Sequence, residues 1–316
     1  MMAGKIQCFG LSDIGKVRET NEDQFIVADV NKSMKVHQTS VGLNHHTRLF
    51  GGSQGTLLAV ADGMGGHAAG ERASEIVVET VTAFLLNTMQ WYFQVDDVHD
   101  EETIEQLRQV TSQCHEKLSQ DIATSPQRRG MGATLTLGYV LWPRLFVVHV
   151  GDSRCYHFRQ GKLEQITNDH TMAQYLIETG ALSPEDAVDS QWSHQLYNVI
   201  GGGDQLPEPD ISRHPLEMGD ALLLCSDGLT KYITDARIGE ALASDAPADE
   251  VCRVLCNEAL LAGGDDNITI VVCRFLPGDD DENFADLDTT DMPIDQRSTQ
   301  LLSPNELLQE RPTDPE

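Results

Sequence analysis

The 316-residue sequence predicts an α+β domain in which antiparallel sheets carry helices on their outer faces. Three observations predict it. Short apolar runs of strand length recur along the chain, several of them continuous enough to be buried on both faces. Those runs follow one another through tight turns, as antiparallel neighbours do. Amphipathic helical stretches then come in blocks apart from the strands.

Strands are expected at Leu57–Ala61, Ala133–Val140, Leu145–Val150, Arg154–Phe158, Ala221–Cys225 and Ile268–Arg274. Met131 to Val150 is the most apolar stretch, and Pro143-Arg144 divides it into two strands around a turn. No apolar run is long enough to cross a bilayer. From Ala68 to Met89, residues Ala73, Ile76, Val77, Thr80, Val81, Phe84 and Leu85 form one helical stripe. A second helix is expected from Glu101 to Ile122, with Ile104, Leu107, Thr111, Cys114 and Leu118 at helical spacing. The short acidic stretch between these two makes them an antiparallel pair. A third, Ala248 to Ala262, stops at Gly263-Gly264, a strong C-terminal signal.

Asn31 to Gly55 is polar and glycine-rich. It contains His37, His45 and His46 but no matching cysteine or carboxylate pattern, and it reads as a solvated loop. The composition changes again at Pro277. Pro277 to Glu316 holds 12 acidic and 2 basic residues with five prolines, too little apolar surface to order itself, and it reads as a disordered acidic tail. A folded unit is therefore placed at residues 1–276 and the tail at 277–316.

Acidic residues outnumber basic ones 50 to 22, for a formal charge of -28. Such a surface repels nucleic acid and anionic lipid. The seven cysteines are scattered, without a C-x-x-C pair. Cys225, Cys252 and Cys273 lie among apolar neighbours and read as small buried thiols, so disulfides are not expected. The N-terminus shows no signal-peptide pattern, and the expectation is a cytoplasmic protein.

Four carboxylate sites recur at strand edges. Leu57-Leu58-Ala59-Val60-Ala61 ends in Asp62, and Gly63-Met64-Gly65-Gly66-His67 leads into a helix. Asp152 follows Val147–Gly151, Asp227 follows Leu222–Ser226, and Asp265-Asp266 precede Ile268. A single Asp of this kind is as readily a helix cap as a ligand. Four that converge would cost several kcal/mol per buried charge without a cation. Oxygen-only donors favour Mg²⁺ or Mn²⁺ over zinc. Upstream, Arg18 could grip two phosphoryl oxygens and Asp23 could join the cluster, although a charged turn alone means little.

In the order Arg18-x-x-Asn21-x-Asp23, Asp62-Gly63-Met64-Gly65-Gly66-His67, Gly132-Ala133-Thr134, Gly151-Asp152-Ser153-Arg154, Asp169-His170, Ser226-Asp227-Gly228 and Asp266-Asn267, the chain resembles the bacterial metal-dependent protein serine/threonine phosphatases of type 2C. Each motif is weak alone; seven in order are specific. The resemblance implies a four-layer α-β-β-α sandwich, two antiparallel sheets between antiparallel helix pairs. It implies two Mg²⁺ or Mn²⁺ ions and a third, weaker one. Asp62 would bridge the pair, Asp227 and Asp266 complete the first ion, and the carbonyl of Gly63 bind the second. Asp23 would act through water, Asp152 would serve the third ion, and Arg18 would bind the phosphoryl group. A water shared by two ions would attack phosphorus in line. His67 is the candidate general acid, though Met64, Gly65 and Gly66 intervene where eukaryotic members place the comparable histidine directly after Asp-Gly.

The partners implied are phosphorylated proteins, serine/threonine kinases and their substrates among them, handled by a monomer. A flap at 172–210 would help choose the substrate. It departs from the family where a threonine and an arginine are expected, reading Asn198-Val199-Ile200-Gly201-Gly202-Gly203. His170 is assigned to structural support. An inactive binding relative would lack a ligand, and none is missing. A hydrolase of small phosphorylated molecules would use the same site and is separated from a protein phosphatase only by substrate comparison. A calcium-binding adhesion module fits the acidity but not the ordered motifs.

Overall fold

A computed structural model of the chain describes residues 5–36, 48–66, 68–87, 97–187, 190–203, 205–277 and 299–301. Thirteen strands appear among them: β1 (Lys5–Asp13), β2 (Asp23–Lys35), β3 (Arg48–Met64), β4 (Gly132–Ala133), β5 (Leu135–Leu141), β6 (Arg144–Val150), β7 (Arg154–Arg159), β8 (Lys162–Gln165), β9 (Ile200–Gly201), β10 (Asp210–Pro215), β11 (Ala221–Cys225), β12 (Ile268–Leu276) and β13 (Thr299–Leu301). The helices are α1 (Ala68–Asn87), α2 (Asp97–Thr124), α3 (Met172–Glu178), α4 (Pro184–Ala187), α5 (Asp227–Thr230), α6 (Asp235–Ala243) and α7 (Ala248–Ala262).

Two sheets result. One runs β1-β12-β11-β7-β8; the other runs β10-β6-β5-β3-β4-β9, with β2 and β13 also paired to β3. The pairings of the first sheet are antiparallel throughout. The chain divides into one compact unit of Met1–Ala28 with Leu57–Gly278 and a second of Asp29–Thr56 with Asp279–Glu316.

In the first unit, period-two alternation builds the layers. Leu222 and Leu224 of β11, with Val271, Cys273 and Phe275 of β12, share one core cluster with Leu58 and Val60 of β3 and Leu145 and Val147 of β6. The intervening residues Ala221, Leu223 and Cys225, with Ile268, Ile270 and Val272, turn the other way onto α6 and α7. The stripe predicted on α1 is buried, from Ala73 to Leu85. α1 packs on α2, and α2 reaches β6, β9 and β10. The α+β sandwich of two antiparallel sheets expected from the resemblance is thus present.

Most of the predicted elements agree within a few residues, and β11 and α7 agree in full. The Pro143 turn joins β5 to β6, whose register pairs Leu141 with Arg144 across Trp142-Pro143. Two expectations need correction. Asn31–Gly55 is not all loop, because β2 runs to Lys35 and β3 starts at Arg48; His37, His45 and His46 lie outside the described residues. Disulfides were not expected, yet Cys8 and Cys273 are bonded. The reason is register: β1 and β12 pair antiparallel with these two residues directly opposite, a coincidence invisible at a sequence separation of 265. Cys225 and Cys252 are free and buried as expected. In the second unit, β13 pairs in parallel with Arg48–Phe50; the rest of the tail beyond Pro277 lies outside the described residues.

Candidate active site

Strand ends position the carboxylates. Asp62 lies near the end of β3, and its peptide is fixed on both sides by Thr134: Asp62 N–H donates to Thr134 Oγ1 at 3.0 Å, and Thr134 N–H donates to the Asp62 carbonyl at 2.9 Å. Thr134 Oγ1 also lies 2.8 Å from Ser153 Oγ, beside Asp152. Asp227 opens α5 immediately after β11, with Ser226 tied by its N–H to the Thr269 carbonyl at 3.1 Å. Asn267 fastens the third segment. Its amide donates to the carbonyls of Ile14 at 2.9 Å and Thr20 at 3.1 Å, and its Oδ1 accepts Glu22 N–H at 2.8 Å. The loop carrying Arg18 is therefore stitched to the strand start beside Asp266. Arg18 Nη2 donates to Asp266 Oδ2 at 2.7 Å.

Asp23 is 2% exposed. Asn21 Oδ1 accepts its N–H at 3.1 Å, and the Ser226 hydroxyl donates to its Oδ2 at 2.7 Å. Its Oδ1 is buried with no partner. Leaving such an oxygen unpaired costs about 1–3 kcal/mol and more when it is charged.

These groups share one electrostatic field. Burial pushes the Asp62 carboxyl well above the usual range, and Asp23, Asp227, Asp152 and Asp266 push it further. Burial also lifts Asp23 to about 7, helped by Asp227 and Asp266 and opposed by the Ser226 and Thr269 hydroxyls. Asp152 is lifted to about 8 by burial and by Asp227 and Asp169. Asp227 is raised by burial and by Asp266. The structure thus brings Asp23, Asp62, Asp152, Asp227, Asp266 and Arg18 to one place from five segments of the chain. His67 lies outside the described residues.

Gly63 is required for close approach. A Cβ there would stand 2.0 Å from the Gly70 carbonyl oxygen and 2.8 Å from that of Glu22. Gly63 N–H donates to the Glu22 carbonyl at 3.1 Å, and Gly63 pairs with Ala133 between β3 and β4. One carboxylate escaped the sequence reading. Glu22 is 8% exposed, and both its Oε2 and the Gly63 carbonyl oxygen lie within 3 Å of where a Gly70 Cβ would stand. The signal available in the sequence was its place beside Asp23, which does not reveal that α1 brings a glycine against it.

The donor chemistry fits a hard divalent cation: carboxylate and carbonyl oxygens, burial that disfavours bare charge, and a buried Asp23 oxygen without a partner. Among the described residues, no three His, Cys, Asp or Glu side chains stand closely enough to hold an ion as they are.

Comparison with known proteins agrees with the geometry. Residues 45–261 match the family model described as Protein phosphatase 2C. The chain belongs to the protein phosphatase 2C family. Arg18, Asp23 and Asp266 lie outside the matched residues, so their place in the site rests on the contacts above. Among relatives of this phosphatase 2C chain, the serine/threonine protein phosphatase PstP of Mycobacterium tuberculosis is 35% identical over 76% of the chain. The chain spans 44% of that relative's length. The protein phosphatase PhpP of Streptococcus pneumoniae is 33% identical over 83% of the chain and 94% of its own length. The crystal structure of the M. tuberculosis phosphatase superposes with a TM-score of 0.68 at 32% identity, covering 86% of this chain and 99% of that one. The PstP catalytic domain has been solved in complex with two manganese ions, at 31% identity and a TM-score of 0.66, covering 86% and 98%.

Proposed function

We propose that this phosphatase 2C chain hydrolyses phosphoserine and phosphothreonine on proteins, with two Mg²⁺ or Mn²⁺ ions and a third, weaker one. The observation that carries the reading is the convergence of five buried or half-buried aspartates, each raised in pKa or joined to Arg18, at the strand ends of one fold. Bound divalent ions supply positive charge against the phosphoryl oxygens and lower the pKa of water for attack at phosphorus.

The chain's own groups do the rest. Asp62, Asp227, Asp266 and the Gly63 carbonyl would hold the two principal ions, Asp62 serving both. Asp23, with Glu22 beside it, would act on them through water, and Asp152 would hold the third ion. Arg18, exposed enough to meet solvent, turns its guanidinium from Asp266 to the phosphoryl oxygens when substrate arrives. His67 gives a proton to the departing serine or threonine oxygen. We assign the catalytic unit to residues 1–276 with a flap at 172–210, and the acidic 277–316 segment to a tail outside turnover. The protein acts as a monomer in the cytoplasm on proteins phosphorylated by serine/threonine kinases. No helix among the described residues is long and apolar enough to cross a membrane.

The test is hydrolysis of a phosphothreonine peptide, with and without Mn²⁺ and then with chelator, beside a panel of small phosphorylated metabolites. Turnover of the peptide that needs Mn²⁺ supports the reading; preference for a metabolite would replace it. Asp227→Asn is expected to abolish turnover in a folded protein, and retained Mn²⁺-dependent activity would remove Asp227 from the ligand set.

A further inference from the structure

His170 is 2% exposed and is defined by partners on every side. Its Nδ1 accepts Gly151 N–H at 3.2 Å and lies 2.9 Å from Asn198 Nδ2. The orientation of that amide is fixed independently. Asn198 Oδ1 accepts Glu208 N–H at 3.2 Å, and Asn198 Nδ2 donates to the Glu208 carbonyl at 2.7 Å, so a flipped amide would oppose like groups at both contacts. Two N–H donors therefore converge on Nδ1, and a ring proton there would face both. The proton belongs on Nε2, which donates to Asp210 Oδ2 at 3.2 Å. Backbone bonds run the same way: His170 N–H donates to the Gly151 carbonyl at 2.7 Å, and Tyr197 N–H donates to the His170 carbonyl at 3.0 Å.

Gly151 leads to the carboxylates. It sits at φ +111°, and Thr134 lies 2.5 Å from where its Cβ would stand. That same Thr134 receives the Asp62 N–H, and the residue after Gly151 is Asp152. One ring nitrogen of His170 thus touches both the turn that carries Asp152 and Asn198, 28 residues further along the chain.

We infer that His170, held as the Nε2–H tautomer, is a positioning residue for this phosphatase: its Nδ1 lone pair fastens the Gly151-Asp152 turn to Asn198, so that the 172–210 segment and the carboxylate cluster keep one register. Its consequence for turnover rests on the proposed function; the tautomer and its partners do not.

The test separates hydrogen bonding from packing. His170→Asn keeps an acceptor at the Nδ1 place but loses volume, whereas His170→Gln keeps volume and reach towards Asp210 but has no acceptor there. Packing alone ranks Gln above Asn. On phosphothreonine peptide with saturating Mn²⁺, His170→Asn is expected within about threefold of wild-type kcat, and His170→Gln about tenfold or more below it, with KM little changed. Long-range ¹H–¹⁵N spectra of the wild type should show the Nε2–H tautomer at His170, identified by the signals that disappear in either variant. Asn198→Asp, at a half-buried position, replaces the donor to Nδ1 with an acceptor, and kcat should fall as in His170→Gln. An Nδ1–H wild-type ring, a Gln variant at least as active as the Asn variant, or an Asn198→Asp variant as active as wild type would each overturn the inference. A wild type inactive on every phosphopeptide, with the tautomer as stated, would instead defeat the proposed function.

Discussion

Asp23→Asn should make the metal-free protein more stable at pH 8 and, by about 2 kcal/mol, less stable at pH 4, where the amide's cost stands alone. The Asp23 carboxyl is pushed up to about 7 from an ordinary 3.8, with burial the leading cause. The native state therefore holds a proton that the unfolded chain releases between those two values. The stability this contributes is complete below about 4 and is lost as pH rises through about 7. A difference of roughly 3 units at about 1.36 kcal/mol each gives about 4 kcal/mol as the ceiling. Asparagine keeps an oxygen for the Ser226 hydroxyl but puts an amide where Oδ1 now has no partner, so about half of that, ~2 kcal/mol, is the expected gain. In a domain this size it amounts to a Tm rise of about 4–8 °C at pH 8. The assay is thermal and urea unfolding in chelator at pH 4, 6 and 8. Added Mn²⁺ should reverse the order, because ligand binding stabilises only a native state able to take it. A variant less stable than wild type at pH 8 in chelator, or a gain that ignores pH, would refute the reasoning.

Other outcomes follow from single contacts. Gly63→Ala must move the Gly70 or Glu22 backbone; about 1–3 kcal/mol of stability and most of the activity should be lost, and urea unfolding with a peptide assay checks both. Arg18→Ala breaks a pair whose arginine is 47% exposed, so stability should change by less than about 1 kcal/mol while KM for phosphopeptide rises; unchanged KM would free Arg18 from phosphate binding. His149 is pushed down to about 3, chiefly by burial. Its contribution to stability is thus present above about 6.5 and lost as pH falls towards 3, and His149→Gln should lessen the acid slope of unfolding free energy by about one proton. Truncation after Leu276 should leave kcat/KM within about twofold, since the tail's composition cannot build a core; full loss of turnover would place the tail in the site.

Elements with strong local signals were legible. β11 and α7 sit where period and glycine punctuation put them, because each is buried against the core through every turn of its pattern. β1 and β2 were not. β1 lies at the edge of its sheet, half-exposed along most of its length, so its residues are mixed and carry no alternation to read. The short strands β4 and β9 exist only because Gly132–Ala133 lies between Gly63–Met64 and Ile200–Gly201, a pairing no local pattern encodes.

The sequence by itself determined which residues could carry the chemistry, because a rigid strand that ends in an aspartate is a local event written in consecutive letters. Only the tertiary structure decided that these ends meet. It added Glu22 beside Gly63, bonded Arg18 to Asp266, joined Cys8 to Cys273 and set the ring proton of His170. Each depends on groups far apart in the chain whose separation in space is fixed by sheet register and packing, and one residue's slip in register would turn every side chain of a strand to its other face.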